Sequence, residues 1–443
     1  MPESKQGMLR ESKALSQSST SLSILLAPFG SEGDVYPLVW AAKALAARGH
    51  RPRMLLSPHY SRLAEAAGVP WTPVGREEDF EAMVRDVGFW HPLSGPARVM
   101  QAMVDTFPEF LRAWHASGPR PDLVVISSLG LAVACAAEAE GVPRLTLHMQ
   151  PAVFLSSGDC PVFAHGTRWL VRLPSPLKRL TMHVISSLLD RLLRRRLNTM
   201  RASMHLPPWR SVYSQGLMGG QGIGLMAPSW FAPAQPGWPP STRQFGFPLP
   251  DGTPPDLNPA LEDFLNKHPS PVVWTHGSAN FDTSRYWGWA IRASLDAGVP
   301  FVLVGPSPPG ELPPSGFHTR HAPFDALFPR AGAVAHHGGI GTTAKAIAAG
   351  LPQLVIPRAH DQPDNASRVE RLGLGLQVPY PFGSASRTFR ALRQLLASAD
   401  IQKKCSQTRN RPDIAADPAT FAVWVEETFM GTNPAEPVLR AGL

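Results

Sequence analysis

The sequence has no long apolar run, since none of its uninterrupted hydrophobic stretches approaches the ~18 residues that a membrane-spanning helix needs. An integral membrane protein is therefore not expected. Cysteine is scarce, with only Cys135, Cys160 and Cys405 and no closely spaced pair. This excludes a small disulfide scaffold and predicts a reducing, cytoplasmic location. Charged residues make up only 17% of the 443 residues, and the net charge of +8 does not distinguish an anionic substrate from a membrane surface or nucleic acid.

The N-terminal segment divides into a polar tail and an apolar run. Residues 1–20 are rich in Ser, Lys and Glu, which predicts a disordered tail. The apolar run at 22–29 lacks the small-residue cleavage site of a signal peptide and leads into a glycine turn. It is expected to form the first buried strand.

Short apolar runs alternate with helical stretches along the rest of the chain, which is typical of parallel sheets covered by helices. The first half has predicted strands at 24–27, 53–57, 122–126 and 144–148 and predicted helices at 37–48 and 129–140. The second half has predicted strands at 271–275, 300–304, 331–335 and 353–356. The predicted fold class is therefore α/β, with two doubly wound domains facing a cleft.

A proline-rich stretch separates the two halves and reads as an extended linker. The expected boundaries are a tail at 1–20, an N-terminal domain at 21–247 and a linker at 248–259. They continue with a C-terminal domain at 260–417 and a final helix and tail at 418–443. Ligands of such folds bind beyond the carboxyl ends of the strands, so the chemistry is expected in the loops there.

Two helical stretches each have two interpretations. Apolar residues spaced by three and four place one side chain set on a single helical face, either in the core or lining an acceptor pocket: Met100, Met103, Phe107, Phe110 and Trp114. Residues 178–201 combine regularly spaced leucines with many arginines. That stretch is either a solvated helix covering the N-terminal domain or a helix at a membrane surface.

The strongest local signal is the segment HHGGIGTT, which runs from His336 to Thr343 between a predicted strand and a helix. Glycines let the backbone approach a diphosphate, and a helix start offers unpaired N–H groups. A phosphate-bearing ligand is expected. A tight turn is the alternative interpretation, since most glycine loops are tight turns. The spacing of the glycines matches neither the GxGxxG fingerprint of dinucleotide-binding folds nor a P-loop. Beyond the next strand, the HDQPDN segment at 360–365 offers carboxylates and amides for sugar hydroxyls.

Together the segments HHGGIGTT, AAGLPQLVIP and HDQPDNASRVERLGLG resemble the donor-binding signature of family 1 glycosyltransferases, which have the two-domain GT-B fold. The opening GSEGDVYPLVWAAKALAARGH is similar to that of the bacterial branch, which includes antibiotic and sterol glycosyltransferases. The stretch APSWFAPAQPGWPP adds a likeness to the rhamnosyltransferases of rhamnolipid synthesis. The resemblance covers about residues 23–375.

The resemblance implies that the domain at 21–247 binds the acceptor and that the domain at 260–417 binds the nucleotide sugar, and it implies roles for individual residues. The donor diphosphate would be held by the glycine loop and by the loop after the first C-terminal strand, through Gly277, Ser278, His337, Gly339, Gly341 and Thr342. Asp361 and Gln362 would bind sugar hydroxyls, and His321 with Ala322 would contact the nucleobase. Structural alternatives stay open, because Ser278 suits a turn cap and His321 an exposed histidine.

Asp34 is the candidate general base, in the turn after the first strand, where the bacterial branch of the family has an Asp. A carboxylate there can take the proton of an attacking hydroxyl, and burial in a cleft would raise its pKa. Capping of the following helix is the competing interpretation. Plant members of the family have the acidic partner of their base in the stretch that corresponds to residues 125–130. No acidic residue occurs there in this sequence, so a lone carboxylate rather than a dyad is expected.

Two further features narrow the chemistry. Lys345 stands where plant members have a ribose-binding Glu, which leaves dTDP donors as plausible as UDP donors. No closely spaced carboxylate pair of the DxD type is left over, so neither a metal nor another cofactor is expected.

The predicted function is inverting transfer of a sugar, rhamnose or glucose, from a dTDP- or UDP-sugar to a hydroxyl of a lipophilic small molecule. The expected partners are therefore this nucleotide-sugar donor and acceptor, without nucleic acid and with a contact to a membrane surface as a further option. Alternatives are a nucleotide-sugar epimerase of the same shape and a non-catalytic auxiliary protein. A nicotinamide oxidoreductase ranks last because of the loop spacing.

Overall fold

The computed structural model describes residues 21–91, 94–277 and 284–431. The predicted tail at 1–20 and the end of the chain at 432–443 lie outside the described residues. No helix within the described part of the chain is long and apolar enough to cross a membrane.

The N-terminal half forms a seven-stranded sheet in which every strand pair is parallel, in the order β3-β2-β1-β4-β5-β6-β7. Its strands are β1 Ser23–Ala27, β2 Arg51–Leu56, β3 Trp71–Pro73, β4 Leu123–Ser127, β5 Arg144–His148, β6 Gly222–Met226 and β7 Thr242–Phe245. Its helices are α1 Glu32–Ala47, α2 Ser61–Ala66, α3 Glu77–Arg85, α4 Gly95–Asp105, α5 Phe107–Ala116, α6 Leu131–Ala139 and α7 Ser175–Ser203.

The C-terminal half forms a six-stranded parallel sheet in the order β10-β9-β8-β11-β12-β13. Its strands are β8 Val272–Thr275, β9 Phe301–Val304, β10 Gly316–Thr319, β11 Ala333–His336, β12 Gln353–Val355 and β13 Gly375–Gln377. The helices of this half are α8 Pro259–Lys267, α9 Ser284–Ala297, α10 Phe324–Leu327, α11 Ile340–Ala349, α12 Gln362–Arg371, α13 Ala385–Ala397, α14 Ala399–Arg409 and α15 Pro418–Gly431. Two doubly wound α/β sheets confirm the predicted fold class.

Both sheets change winding direction at one point, between β1 and β4 in the first and between β8 and β11 in the second. The loops that leave neighbouring strands at such a point diverge and open a crevice at the carboxyl edge. The loops that follow β1, β8 and β11 carry the predicted site residues. The topology therefore places all three loops where a ligand is expected.

Helix α1 begins earlier than predicted. The sequence suggested a start at Pro37, because proline is favoured in a first turn. The helix instead begins at Glu32, where Ser31 and Asp34 form a capping box. Asp34 therefore belongs to the first turn of α1, and the prediction that it lies in the turn before the helix is wrong.

The predicted single face from Met100 to Trp114 is divided between two helices, so that prediction is wrong. Helix α4 ends at Asp105 and α5 begins at Phe107, because Pro108 has no backbone N–H to continue the first helix. The core interpretation is nevertheless confirmed. Met103, Phe107, Phe110 and Trp114 are buried in one cluster, with Met100 packed against it.

Helix α7 covers the N-terminal domain with one face, which includes the buried Leu193 and Leu197. Its opposite face carries exposed apolar side chains.

The chain connects the two sheets twice. Residues 248–258, all of them described, contain no helix or strand and lead from the first sheet to α8. The chain returns beside them, since Phe247 N donates to Ile414 O at 2.7 Å and Ala416 N donates to Phe247 O at 2.8 Å. Helix α15 then packs on the N-terminal half, where Glu426 forms an ion pair with Arg48 at 2.7 Å. The domain boundaries given above remain a prediction.

Candidate active site

The N-terminal side of the candidate site is built around the carboxylate of Asp34. Ser31 N and Ser31 Oγ donate to Asp34 Oδ2 at 3.0 and 3.2 Å. One carboxylate oxygen thus completes the start of α1, as the capping interpretation expects. Gly30 makes room for it, because a Cβ at that position, at φ +132°, would lie 2.3 Å from Asp34 Oδ2.

The other carboxylate oxygen has a partner from a distant part of the chain. Gln150 Nε2 donates to Asp34 Oδ1 at 2.9 Å, and Gln150 lies two residues beyond the end of β5. Burial raises the pKa of Asp34, while the hydrogen bonds from Gln150 and Ser31 lower it. The sequence analysis expected a carboxylate without an acidic partner. In the structure Asp34 does have a partner, but that partner is the neutral amide of Gln150.

The glycine loop connects β11 to α11 and leaves the start of that helix open. Gly338 adopts φ +92°, which few residues other than glycine tolerate, and Gly339 precedes the first helical residue. A Cβ at Gly341 would meet nothing within 4 Å, and Thr342 is partly exposed in the same turn. The first-turn N–H groups at Gly341 and Thr342 are suited to an anion.

The two histidines of the loop differ in role. His336 is buried at the end of β11, where its Nε2 pairs with Gln353 Oε1 at 3.0 Å and its Nδ1 accepts from Gly338 N at 3.1 Å. It therefore shapes the loop. Burial and the neighbouring His336 and His276 lower the pKa of His337 to about 3, so its imidazole is neutral.

His337 lies between two glycines. A Cβ at Gly277 would lie 2.5 Å from His337 Cε1, and a Cβ at Gly339 would lie 2.4 Å from His337 Nε2. The contact with Gly277 arises because β8 and β11 are neighbours, with Thr275 opposite His336. Both loops predicted to hold phosphate therefore meet at this ring. Ser278, predicted with Gly277, lies outside the described residues.

The predicted sugar-binding pair stands at the start of α12. Asp361 precedes the helix, and Asn365 Nδ2 donates both to Asp361 Oδ2 at 2.8 Å and to Gly338 O at 2.9 Å. Asn365 thus ties the carboxylate to the glycine loop. Gln362 Oε1 accepts from Arg358 N at 2.8 Å, so only its Nε2 remains to meet a sugar.

Asp34 and Asp361 belong to different halves of the chain but influence each other electrostatically. Burial raises the pKa of Asp361 to about 7, and the charge of Asp34 adds to the effect. The predicted base and the predicted sugar-binding carboxylate are therefore within electrostatic reach of each other.

A contact across the cleft precedes Asp361. His360 has φ +61°, a conformation that is unfavourable for a residue with a side chain, and its ring lies edge-on to Trp90 at 5.4 Å. The N-terminal domain thus closes over the start of α12.

The predicted nucleobase residues follow β10. His321 is exposed, its carbonyl accepts from Thr319 Oγ1 at 2.8 Å, and Ala322 is partly buried. Lys345 occupies the position that the resemblance assigns to a ribose-binding Glu in plant members. It pairs with Asp325 at 3.2 Å and lies 5.9 Å from the Tyr36 ring. A carboxylate is therefore present in this region, but on α10 rather than α11.

Asp364, the second acid of the HDQPDN segment, belongs to the domain interface. Its Oδ1 accepts from Val162 N at 3.0 Å and its Oδ2 pairs with Arg368 at 2.7 Å. Arg368 also pairs with Asp159 of the N-terminal half at 2.6 Å. The one group of potential metal ligands among the described residues is on the surface, at His59, Glu77 and Glu81, and contains no predicted site residue.

Sequence reasoning missed Gln150, and it included Asn365 among the sugar-binding candidates without foreseeing that Asn365 holds Asp361 against the glycine loop. The spacing of Asp361 and Asn365, four residues apart at a helix start, was a usable signal for the second. Gln150 could have been suspected because it follows a strand at the carboxyl edge.

Comparison with known proteins agrees with this geometry. Residues 308–426 match the family described as erythromycin biosynthesis protein CIII-like, C-terminal domain. The chain is 32% identical to glycosyltransferase GtfE of Amycolatopsis orientalis, over 85% of this chain and 90% of that protein. It is also 32% identical to O-mycaminosyltylonolide 6-deoxyallosyltransferase of Streptomyces fradiae, over 89% of this chain and 94% of the relative.

A solved structure supports the fold. Spinosyn rhamnosyltransferase SpnG complexed with thymidine diphosphate superimposes with a TM-score of 0.62 at 17% identity, over 91% of this chain and 100% of that chain. Since the relatives are named transferases, the similarity favours sugar transfer over the epimerase and auxiliary alternatives. The chain therefore belongs to the GT-B glycosyltransferases of family 1, is of the type found in antibiotic biosynthesis, and is a hexosyltransferase.

Proposed function

We propose that the protein transfers rhamnose or glucose from a dTDP- or UDP-sugar to a hydroxyl of a lipophilic small molecule, with inversion at the anomeric carbon. The observation that carries the proposal is the open start of α11, whose glycine loop Asn365 ties to the carboxylate of Asp361, while the charge of Asp34 on the other half of the chain acts on Asp361. Such a transfer needs three parts: a general base, a carboxylate that binds the hydroxyls of the donor sugar, and a site for the anionic diphosphate.

In the proposed step, Asp34 accepts the proton of the acceptor hydroxyl as its oxygen attacks the anomeric carbon. The bond from that carbon to the diphosphate breaks on the opposite side, which inverts the centre. Gln150, as a donor to Asp34 Oδ1, would hold the carboxylate in place. Asp361 would orient the sugar through its hydroxyls.

The departing diphosphate carries negative charge that something must stabilise. The N–H groups at the start of α11 and the helix dipole would do so, with Thr342 and the neutral His337 as hydrogen-bond donors. His337 would therefore act through its N–H rather than through a positive charge. No metal or other cofactor enters the proposed step. His321 and Ala322 would meet the nucleobase.

The donor preference draws on two similarities. The spinosyn rhamnosyltransferase structure contains thymidine diphosphate, and another relative is named dTDP-epi-vancosaminyltransferase, at 30% identity. Position 345 is Lys rather than the ribose-binding Glu of plant members, which is compatible with the deoxyribose of a dTDP donor. We therefore propose dTDP-sugars ahead of UDP-sugars.

Replacement of the base tests the proposal. Asp34→Asn keeps the shape of the side chain but removes the proton acceptor, so kcat is expected to fall by roughly 10²–10⁴-fold while the affinity for dTDP changes little. Turnover would be measured with dTDP-rhamnose, dTDP-glucose and UDP-glucose and a 3-hydroxyacyl acceptor, and dTDP affinity by thermal shift.

Asp263→Asn, at an exposed position of α8, is the matched control and should leave both quantities unchanged. A fully active Asp34→Asn enzyme would disprove the assignment of the base. Retention at the anomeric carbon, from product NMR, would disprove the single displacement.

A further inference from the structure

Helix α7 carries a continuous stripe of exposed apolar side chains. Five of them are exposed by 47% to 59% and are spaced by three and then four residues, which places them on one helical face: Leu177, Leu180, Val184, Leu188 and Leu192. Single exposed leucines are ordinary on protein surfaces, but a row along one helix indicates a binding surface.

Helix α7 is packed onto the N-terminal domain by a different face from the one that carries the stripe. At 100° per residue, the buried Leu193 and Leu197 lie on the side opposite Leu188, and they join the core of the N-terminal domain. The helix is thus anchored by one face and presents the other outward.

Positive charge surrounds the stripe. Among the basic residues of α7, Arg201 is buried and paired with Glu138. The others lie at the surface and outnumber the single acid of the helix: Lys178, Arg179, Arg191, Arg194, Arg195 and Arg196. The acid, Asp190, accepts from Val212 N at 2.6 Å and is therefore engaged with the protein itself. Arg191 and Arg195 continue the exposed face beyond Leu188 and have no ion pair with any described residue.

An exposed tryptophan precedes α7 in the chain. Trp169 is 58% exposed, in the short helical turn before α7, and Arg168 and Arg172 flank it. Tryptophan prefers the boundary between lipid headgroups and acyl chains. Apolar side chains, arginines and an exposed indole together have the composition of a helix that lies in a bilayer surface.

We infer that the exposed face of α7, together with Trp169, docks the protein on an anionic lipid bilayer. The leucines enter the headgroup boundary and the arginines meet the lipid phosphates. A second copy of the chain fits less well, because two such faces would bring their arginines together without any acid to pair with them.

The docked face belongs to the same part of the domain as the cleft. Met182 of α7 packs against Cys160, in the segment after β5, and Val162 of that segment contacts Asp364 at the domain interface. If the acceptor is lipophilic, docking would bring the cleft close to its source. That consequence rests on the proposed function, whereas docking itself does not.

Vesicle sedimentation tests the inference with the full chain and no substrate. Binding is expected to vesicles of phosphatidylglycerol and phosphatidylcholine in equal parts, to weaken with added salt, and to be much weaker on phosphatidylcholine alone. The double variant Leu180→Glu with Leu188→Glu should bind at least about tenfold less, because each change buries a charge in the boundary.

The matched control is Leu295→Glu, since Leu295 is exposed to a similar degree, 45%, on α9. Arg191→Glu with Arg195→Glu should abolish the preference for anionic vesicles. Thermal unfolding verifies that the variants are folded, as expected for side chains that face away from the core.

Three results would overturn the inference. One is equal sedimentation of the unchanged protein and the leucine variant. A second is failure of the folded, unchanged protein to bind anionic vesicles. The third is a dimer, detected by ultracentrifugation, that the leucine changes dissociate while vesicle binding is absent.

Discussion

At the scale of single residues, the partner of the base is the most informative contact. Gln150 Nε2 donates to Asp34 Oδ1, which stabilises the ionised form and lowers the pKa of that carboxyl. Gln150→Ala is therefore expected to raise the pKa of Asp34, so that the acidic limb of kcat/KM moves to higher pH.

The measurement is the pH profile of kcat/KM at constant ionic strength. Gln101→Ala, which removes an exposed glutamine of α4, serves as the control and should leave the profile in place. If the acidic limb stays where it was in Gln150→Ala, Gln150 does not position the base.

Asp361 gives a prediction about stability. Its pKa in the folded protein is about 7, above the ordinary value of 3.8, so the folded chain holds the proton more tightly than the unfolded chain. Its contribution to the free energy of unfolding therefore falls as the pH rises between these values. Asp361→Asn removes this penalty, and its gain relative to the unchanged protein should be larger at pH 8 than at pH 5, by about 2–3 kcal/mol.

Urea unfolding at the two pH values measures the difference. Asp263→Asn, whose carboxylate is exposed, should show the same stability difference at both. A pH-independent effect of Asp361→Asn would mean that Asp361 is ionised throughout this range.

These residues also show how far a sequence leads. Asp34 and Asp361 could be predicted because each belongs to a local motif. Gln150 could not, since the contact that gives it a role joins residues 116 positions apart. The neutral state of His337 was equally out of reach, because it depends on burial and on two neighbouring histidines.

At the scale of elements, α12 is held to the N-terminal half by a buried ion network. Arg368, which is 2% exposed at its side chain, pairs with Asp364 and Asp159 and donates to Phe231 O at 3.0 Å. Arg368→Ala leaves these acceptors buried and unpaired, so we expect a loss of about 3–5 kcal/mol in the free energy of unfolding.

Chemical denaturation would measure this loss. Arg292→Ala removes an exposed pair with Asp296 on α9 and should leave the free energy of unfolding almost unchanged. Similar small losses in both variants would show that the network does not stabilise the fold.

Element boundaries were less predictable than element identities. The strand at 144–148 was predicted to the residue. The start of α1 was misplaced because a capping box and a proline gave conflicting local signals, and the capping box determines the start. The break between α4 and α5 follows from Pro108, whose effect outweighs the apolar spacing around it.

At the scale of the molecule, the alternation of strands and helices was enough to predict two parallel sheets. It could not predict the strand order, which decides that β1 adjoins β4 and that β8 adjoins β11. Strand order depends on packing between distant segments rather than on local pattern. The meeting of the two carboxyls depends on that order.

The double crossing of the chain has a practical meaning for recombination between relatives. Phe247 and Ala415 run side by side, and α15 returns to the N-terminal half, where a Cβ at Gly224 would lie 3.4 Å from Trp424. The C-terminal half is thus an insertion within the N-terminal half rather than its continuation. A hybrid enzyme with a single junction near residue 248 would import a foreign α15 onto its own N-terminal half. Junctions on both crossing segments would exchange the C-terminal half and leave that packing native.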